Sequence, residues 1–175
     1  MSTPYDVNAT VAGVADALIG VEDDAGTALE YALDRGVVAL CAEAAGAMEI
    51  ACDLTLDYLK ERKQFGQPLA DFQALQFSLA DMATELESAR LMIHRAAWML
   101  DNGMHGTTVA AAMAKRVATD TGFEVVNQAL QLHGGYGYLR EFPIQRYLRD
   151  LRVHQILEGT NEIMRVIISR DILRQ

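Results

Sequence analysis

One apolar seam constrains the fold of this chain more than any other feature. Leu75, Leu79, Met82, Leu86, Ala89, Ile93, Ala96 and Leu100 recur at intervals of three and four until Asn102 and Gly103 stop them. That spacing puts all of them on one face of an α-helix, whereas a half-buried strand would alternate by two. Asp71, shortly after Pro68, is the expected N-cap. A helix of about 30 residues is roughly 45 Å long, so it can bury such a seam only along other long helices.

Two such neighbours are readable. From about Gly26 to Lys60, Val38, Cys41, Ala45, Met48, Cys52, Thr55 and Leu59 keep the same period; Gly36 and Gly46 weaken this helix without ending it, and Gly46 suits a close helix contact. A third helix is expected from about Thr107 to Leu132, with a less regular seam through Met113, Val117, Phe123, Val126 and Leu130. A short helix opens near Pro143, and a last one follows Thr160 through Leu173. Long helices joined by short glycine-containing turns predict an all-α, up-and-down four-helix bundle with a short extra helix over residues 24–175. Residues 1–23 break this pattern. Their small and β-branched residues, with some alternation, predict an extended arm.

Charge narrows the function classes. The net charge is −9, with 24 acids against 15 Lys and Arg; seven of those acids and no Lys or Arg lie between Met1 and Asp34, which leaves 17 acids against 15 bases in the rest. A nearly neutral body without a basic stripe argues against nucleic acid as a partner. No run of about 18 apolar residues and no charged leader with an apolar core is seen, so no membrane partner is expected. The expected location is cytoplasmic, or the mitochondrial matrix in a eukaryote. With 51% hydrophobic residues the chain has enough apolar surface for one sizeable core. Cys41 and Cys52, eleven apart in one helical pattern, predict buried thiols and no disulfide. His94 and His154 have no partner at metal-binding spacing, and no metal is expected.

The stretch from Gln131 to Arg165 carries the chemistry. Gly134, Gly135 and Gly137 let a backbone turn tightly and approach a ligand, with Gln131 and His133 beside them as hydrogen-bonding groups. The apolar run before them reads as helix, so this is no Rossmann fingerprint, and a plain helix cap with its loop explains the glycines equally. Glu158 is either a solvated loop acid near a helix start or, between Ile156, Leu157 and Gly159, a carboxylate in an apolar pocket. In such a pocket burial disfavours the charged form, as suits a general base. Arg62 and Lys63 with Phe65, Gly66 and Gln73 read locally as a basic helix end and a turn. Thr160 and Asn161 read as N-capping residues. Trp98, Met48, Met82, Met92 and Met113 read as core or interface.

QLHGGYGY, then Glu141, Arg146 and Asp150 at their spacings, then ILEGTNEI, resembles the C-terminal signature of the flavin-dependent acyl-CoA dehydrogenases, and ERKQFGQPLADFQALQFSLADMA from Glu61 to Ala83 is similar to the same family's central segment. The resemblance runs from roughly Asp24 to Arg174 and lies closest to the short-chain and isobutyryl-CoA members. It implies the C-terminal helical domain, with the arm as the remnant of a preceding β domain. It implies FAD as cofactor and an acyl-CoA substrate, with Glu158 taking the α-proton while a β-hydride passes to the flavin. By the same resemblance Arg62, Phe65, Gln73 and the turn from Gln131 through Leu132, His133, Gly134 and Gly135 hold the FAD of a neighbouring subunit. Thr160, Asn161 and Glu162 hold the subunit's own FAD, and Gly159 lies against the substrate. A homo-oligomer, dimer or tetramer, and electron-transfer flavoprotein as electron acceptor are implied as well.

Two departures from the family pattern stand out. Val37 occupies the position nine before Gly46 where relatives carry an arginine, while Arg35 stands two residues earlier; Asp34 is the analogue, displaced alike, of an alternative base on that helix. Leu157 replaces the tyrosine that often precedes the base in medium-chain members, a mild pointer to short or branched acyl groups. The chain taken alone is expected to be catalytically silent, because the resemblance leaves the flavin-cradling and acyl-walling domains outside it. The seam between Ala74 and Leu100 and the last helix, with Ile163, Val166, Ile167 and Ile172, is expected to bury surface against other copies. The reading from a different class is a helical oligomerisation module that binds no flavin.

Overall fold

The computed structural model describes residues 25–174, and the arm expected over residues 1–23 lies outside them. The chain divides into two compact units, Met1–Ala32 and Leu33–Gln175. The described part of the first is the opening turns of a helix. The elements are α1 (Gly26–Glu61), β1 (Lys63–Gln64), β2 (Gln67–Pro68), α2 (Gln73–Asp101), α3 (Thr107–His133), α4 (Ile144–His154) and α5 (Asn161–Ile172). The second unit is all-α apart from one minimal hairpin.

Three long helices run up, down and up. The N-terminal part of α1 meets the start of α3, where the Thr108 hydroxyl donates to Asp34 at 2.8 Å, and the C-terminal part meets its end, where Tyr58 stacks on His133 at 4.4 Å between ring centroids. The helix between them is antiparallel to α3: near the start of α2, Ser78 Oγ accepts from Gln128 Nε2 at 3.3 Å. Arg90 ties α2 to Glu49 of α1 at 2.6 Å. The seam expected for α2 faces inward through Met82, Leu86, Ala89, Ile93 and Ala96, and α1 contributes Cys41, Ala44, Met48, Ala51 and Leu59.

α3 is the central element. It packs on α2, α4 and α5 and buries residues all round its circumference, including Ala110, Ala111, Ala112, Ala114, Ala118, Val125, Val126 and Ala129. The irregular seam expected there captures only part of this face, since Met113 and Val117 are half-buried. A helix enclosed on several sides shows no single apolar stripe.

Local expectations fared unevenly. Asp71 does not cap α2: it ends a short 3-10 turn, Leu69–Asp71, and the cap is Phe72, without a side-chain bond. Gln76 closes this corner instead, donating from Nε2 to Ala70 O at 2.9 Å. A Cβ at Gly46 would meet nothing within 4 Å, so no close helix contact uses that glycine. Thr160 does cap α5, its hydroxyl accepting from Ile163 N at 3.4 Å. Cys41 and Cys52 are free thiols; burial pushes Cys41 up to about 12 and Cys52 up to about 11. Among the described residues no helix is long and apolar enough to cross a membrane.

Candidate active site

Glu158 sits on the tight loop between α4 and α5. Its φ is 54° and that of Gly159 is 87°. The left-handed region is natural for glycine and costly for a residue with a Cβ, so the surroundings must hold Glu158 there. On the α4 side, Ile156 N and Leu157 N donate to Val153 O at 2.8 and 3.0 Å; on the other, Asn161 N reaches back to Gln155 O at 3.1 Å.

Beneath the loop lies a buried polar network rooted in α3. Lys115, fully buried, donates from Nζ to Gly159 O and to Asn161 Oδ1, both at 2.8 Å. One turn on, Thr119 Oγ1 accepts from Asn161 Nδ2 at 2.9 Å, and Asp120 Oδ1 accepts from Asn161 Nδ2 at 2.6 Å and from Gln155 Nε2 at 2.9 Å. Arg165 of α5 pairs with the other Asp120 oxygen at 3.3 Å. Burial pushes the Lys115 ammonium below the ordinary lysine range, opposed by the charges of Asp120, Glu162 and Glu158. Glu162, in the first turn of α5, is held below the ordinary carboxylate range by its own N–H and then by the Thr160 hydroxyl.

The carboxylate itself faces outward. Glu158 is exposed, and Ile156 and Leu157 are 53% and 47% exposed. The apolar pocket expected around Glu158 is therefore not formed by the described residues, because the network beneath the loop turns the loop's apolar side chains away from the core.

The glycine turn lies at the other end of α3. Gly134 ends the helix at φ 58°, and Gly134–Tyr138 continue as a 3-10 turn. Gly134 and Gly135 are exposed, and a Cβ on either would meet nothing within 4 Å. Leu132 and His133, by contrast, are buried. The His133 ring stacks on Tyr58, its Nδ1 bonds to Ala129 O at 2.8 Å, and burial pushes it below the ordinary histidine range. The His133 carbonyl accepts from the Tyr58 hydroxyl at 3.4 Å.

The hairpin comes to the same place. Its turn, Phe65-Gly66, has φ 53° and 84°, both positive as a two-residue primed turn requires. A large aromatic residue in that region is an outlier, and Phe65 is 93% exposed, set edge to face with Phe72 at 6.2 Å between ring centroids. The Arg62 guanidinium lies 5.2 Å from the ring centre of Tyr136 in the glycine turn, and Gln73 is exposed at the first turn of α2. Arg62, Phe65, Gln73, Gln131, Gly134 and Gly135 thus belong to one end of the bundle. Glu158, Gly159, Thr160, Asn161 and Glu162 belong elsewhere: Thr119, under their loop, lies 14 residues before His133, or about 21 Å along α3. Asp34 is on α1, accepting from Thr108.

Lys115, Thr119 and Asp120 escaped the reading of the sequence, as did Tyr58 and Tyr136. A lone lysine among alanines looks like a solvent-facing residue; the signal was that small residues surround it on every side of the helix, leaving no wet face for it.

Bundle, hairpin and the two loops define the class: an all-α domain that carries its candidate residues on outward-facing turns. The chain belongs to the acyl-CoA dehydrogenase family, whose C-terminal domain matches residues 25–173. It is 52% identical over 143 residues to mitochondrial isobutyryl-CoA dehydrogenase of Bos taurus, covering 82% of this chain and 34% of that protein. The solved structure of butyryl-CoA dehydrogenase from Megasphaera elsdenii is similar with a TM-score of 0.81 and 41% identity, over 85% of this chain and 39% of that one. A structure described as the electron transferring flavoprotein of Acidaminococcus fermentans, in connection with flavin-based electron bifurcation, matches with a TM-score of 0.79 and 45% identity, over 82% and 37%. Acyl-CoA dehydrogenases are FAD-dependent oxidoreductases. The chain spans about a third of the length of the curated relatives it matches.

Proposed function

We propose that this chain is the helical bundle of an FAD-dependent acyl-CoA dehydrogenase and that Glu158 is the base that takes the α-proton of an acyl-CoA thioester. The observation that carries the reading is the Glu158 loop: a carboxylate held outward at φ 54° above a buried network, in a chain of this family. Functional residues concentrate on such strained, over-determined loops. A thioester α-proton is weakly acidic, so its carbonyl needs fixed donors as charge develops. The N–H of Glu158 is the donor this loop supplies.

The residues present fit a flavin dinucleotide. At the hairpin end, an arginine fork suits a pyrophosphate, the strained and uncovered Phe65 offers a face for adenine, and Gln73, Gln131 and the peptides of Gly134 and Gly135 offer hydrogen bonds where no Cβ intrudes. At the other end Thr160 and Glu162 are available, the Asn161 side chain being spent on the network and its N–H on Gln155 O. The two groups lie about 21 Å apart along α3, and by the family resemblance they touch two FAD molecules, one at each end, in a homo-oligomer. Bound FAD would supply the hydride acceptor. Gly159 would lie against the acyl group. Leu157 before the base, and relatives described as acting on isobutyryl-CoA and butyryl-CoA, support a short or branched acyl chain. The likeness to the electron transferring flavoprotein structure supports a flavoprotein as electron acceptor.

The test uses the flavin-loaded enzyme and reads flavin bleaching by acyl-CoA. Glu158→Gln keeps the shape and removes the proton acceptor, so bleaching slows by about 10²–10⁴-fold, with FAD content unchanged and Asp34→Asn close to the parent. Bleaching at the parent rate in Glu158→Gln, with loss in Asp34→Asn, moves the base to α1. Arg62→Ala releases FAD, and its rate recovers in excess FAD.

A further inference from the structure

We propose that Lys115 is a positioning residue for the reaction: through Gly159 O and Asn161 Oδ1 it fixes the height and orientation of the Glu158 loop. The proposal rests on the reading of Glu158 as the base. Lysine is almost never fully buried unless its ammonium is paired. Here it lies among alanines of the most enclosed helix, where Ala111, Ala112, Ala114 and Ala118 are at most 1% exposed and an unbranched apolar side chain of the same length would pack as well. What distinguishes the lysine from such a residue is its pair of 2.8 Å bonds, and both reach one loop.

The grip is built to hold that loop at both ends. Lys115 and Thr119 are four apart and stand on one face of α3, with Asp120 beside them. Lys115 takes the carbonyl next to Glu158, while Asn161, beyond it, is held by Lys115, Thr119 and Asp120 together. Before it, Gln155 is held by Asp120. The segment between these anchors contains the two consecutive positive-φ residues and the exposed carboxylate. Without the anchors the loop is free to relax the Glu158 backbone toward an ordinary φ, which swings the carboxylate. Displacing a reacting group by about 1 Å can cost about 10²-fold in rate.

The experiment compares Lys115→Met, Thr119→Val and Glu158→Gln with the parent in the flavin-loaded enzyme. Lys115→Met fills the same space without donors. Its bleaching rate per bound flavin, at saturating acyl-CoA, is expected to fall by about 10–100-fold, while FAD content and half-saturating substrate stay near the parent values. Amide hydrogen exchange of residues 156–160 is expected to quicken, with that of α2 unchanged. A lysine that serves folding alone would lower the melting temperature and leave the rate per bound flavin intact; that result overturns the proposal. If Lys115→Met yields no folded flavoprotein, Thr119→Val decides. It keeps shape and removes one acceptor of Asn161, and a severalfold slower rate supports the proposal while the parent rate overturns it. Parent bleaching in Glu158→Gln removes the base reading itself, whereas a silent Glu158→Gln beside a parent-like Lys115→Met defeats the positioning role alone.

Discussion

Glycine does two different jobs within the four residues that follow α3. At Gly137 a Cβ would lie 2.9 Å from the Leu130 carbonyl oxygen, a backbone atom that cannot swing away, so Gly137→Ala should cost about 1–3 kcal/mol in denaturant unfolding. At Gly135 a Cβ meets open space. Gly135→Ala should therefore change stability by no more than about 0.5 kcal/mol, and it should still weaken FAD retention if backbone approach is what the turn provides. His133 supplies a pH dependence. Burial lowers its folded pKa below the ordinary 6.5, so the unfolded chain binds more protons there. Its contribution to stability is complete above pH 6.5 and is lost as pH falls through the folded value. Urea midpoints should drop between pH 7.5 and 5.5, and His133→Phe, which keeps a ring against Tyr58, should flatten that drop. At this scale the sequence showed chemistry better than environment. Glu158 and the glycines were legible from their motif, while the burial of His133 and Lys115 was not, because a polar residue reads as wet until the helix carrying it is known to be central.

Helices with a continuous wet face declared themselves, and the helix exposed only at Thr108, Glu124, Asn127 and Gln131 did not. The periods of α1 and α2 located both helices and most of their core residues, since each keeps a polar side toward solvent. α3 was found by length and misjudged by face: packed on α2, α4 and α5, it has no stripe to read. Its alanines are what allow the close approach, so Ala118→Leu should overpack the core and cost about 1–3 kcal/mol, measured as a lower unfolding midpoint. The corner between α1 and α2 was legible as a turn but not as a hairpin, because a phenylalanine at positive φ is not what a primed turn asks for. Asp71 was assigned to the wrong task for a related reason, as an acid before a helix looks like a cap even when a 3-10 turn uses it first.

For the whole assembly, self-association is a proposal: the last helix leaves Ile163 and Ile172 exposed as expected, while α2 exposes other residues than its seam. The inward seam of α2 is spent on the bundle's own core, and the surface left is Phe77, Leu91 and Trp98, exposed by 60%, 62% and 57%, with Ile163 and Ile172 of α5 at 50% and 59%. Multiples of seven separate the first three, so they share one helix face. Light scattering at micromolar concentration should report an oligomer, and Leu91→Glu should shift it toward monomer; a strictly monomeric parent would count against FAD molecules shared between subunits. With Glu158 exposed, the bundle alone should not oxidise acyl-CoA when given FAD and an artificial acceptor, since nothing among the described residues excludes water from the carboxylate. The central claim, that Glu158 removes the α-proton, is tested most directly by isotope exchange. The flavin-loaded enzyme is incubated in heavy water with an acyl-CoA analogue that has α-hydrogens and no hydrogen on its β-carbon, and deuterium at the α-carbon is read by mass spectrometry. Deuterium should enter with the parent and with Asp34→Asn and should not enter with Glu158→Gln; exchange that persists in Glu158→Gln and vanishes in Asp34→Asn would contradict the account.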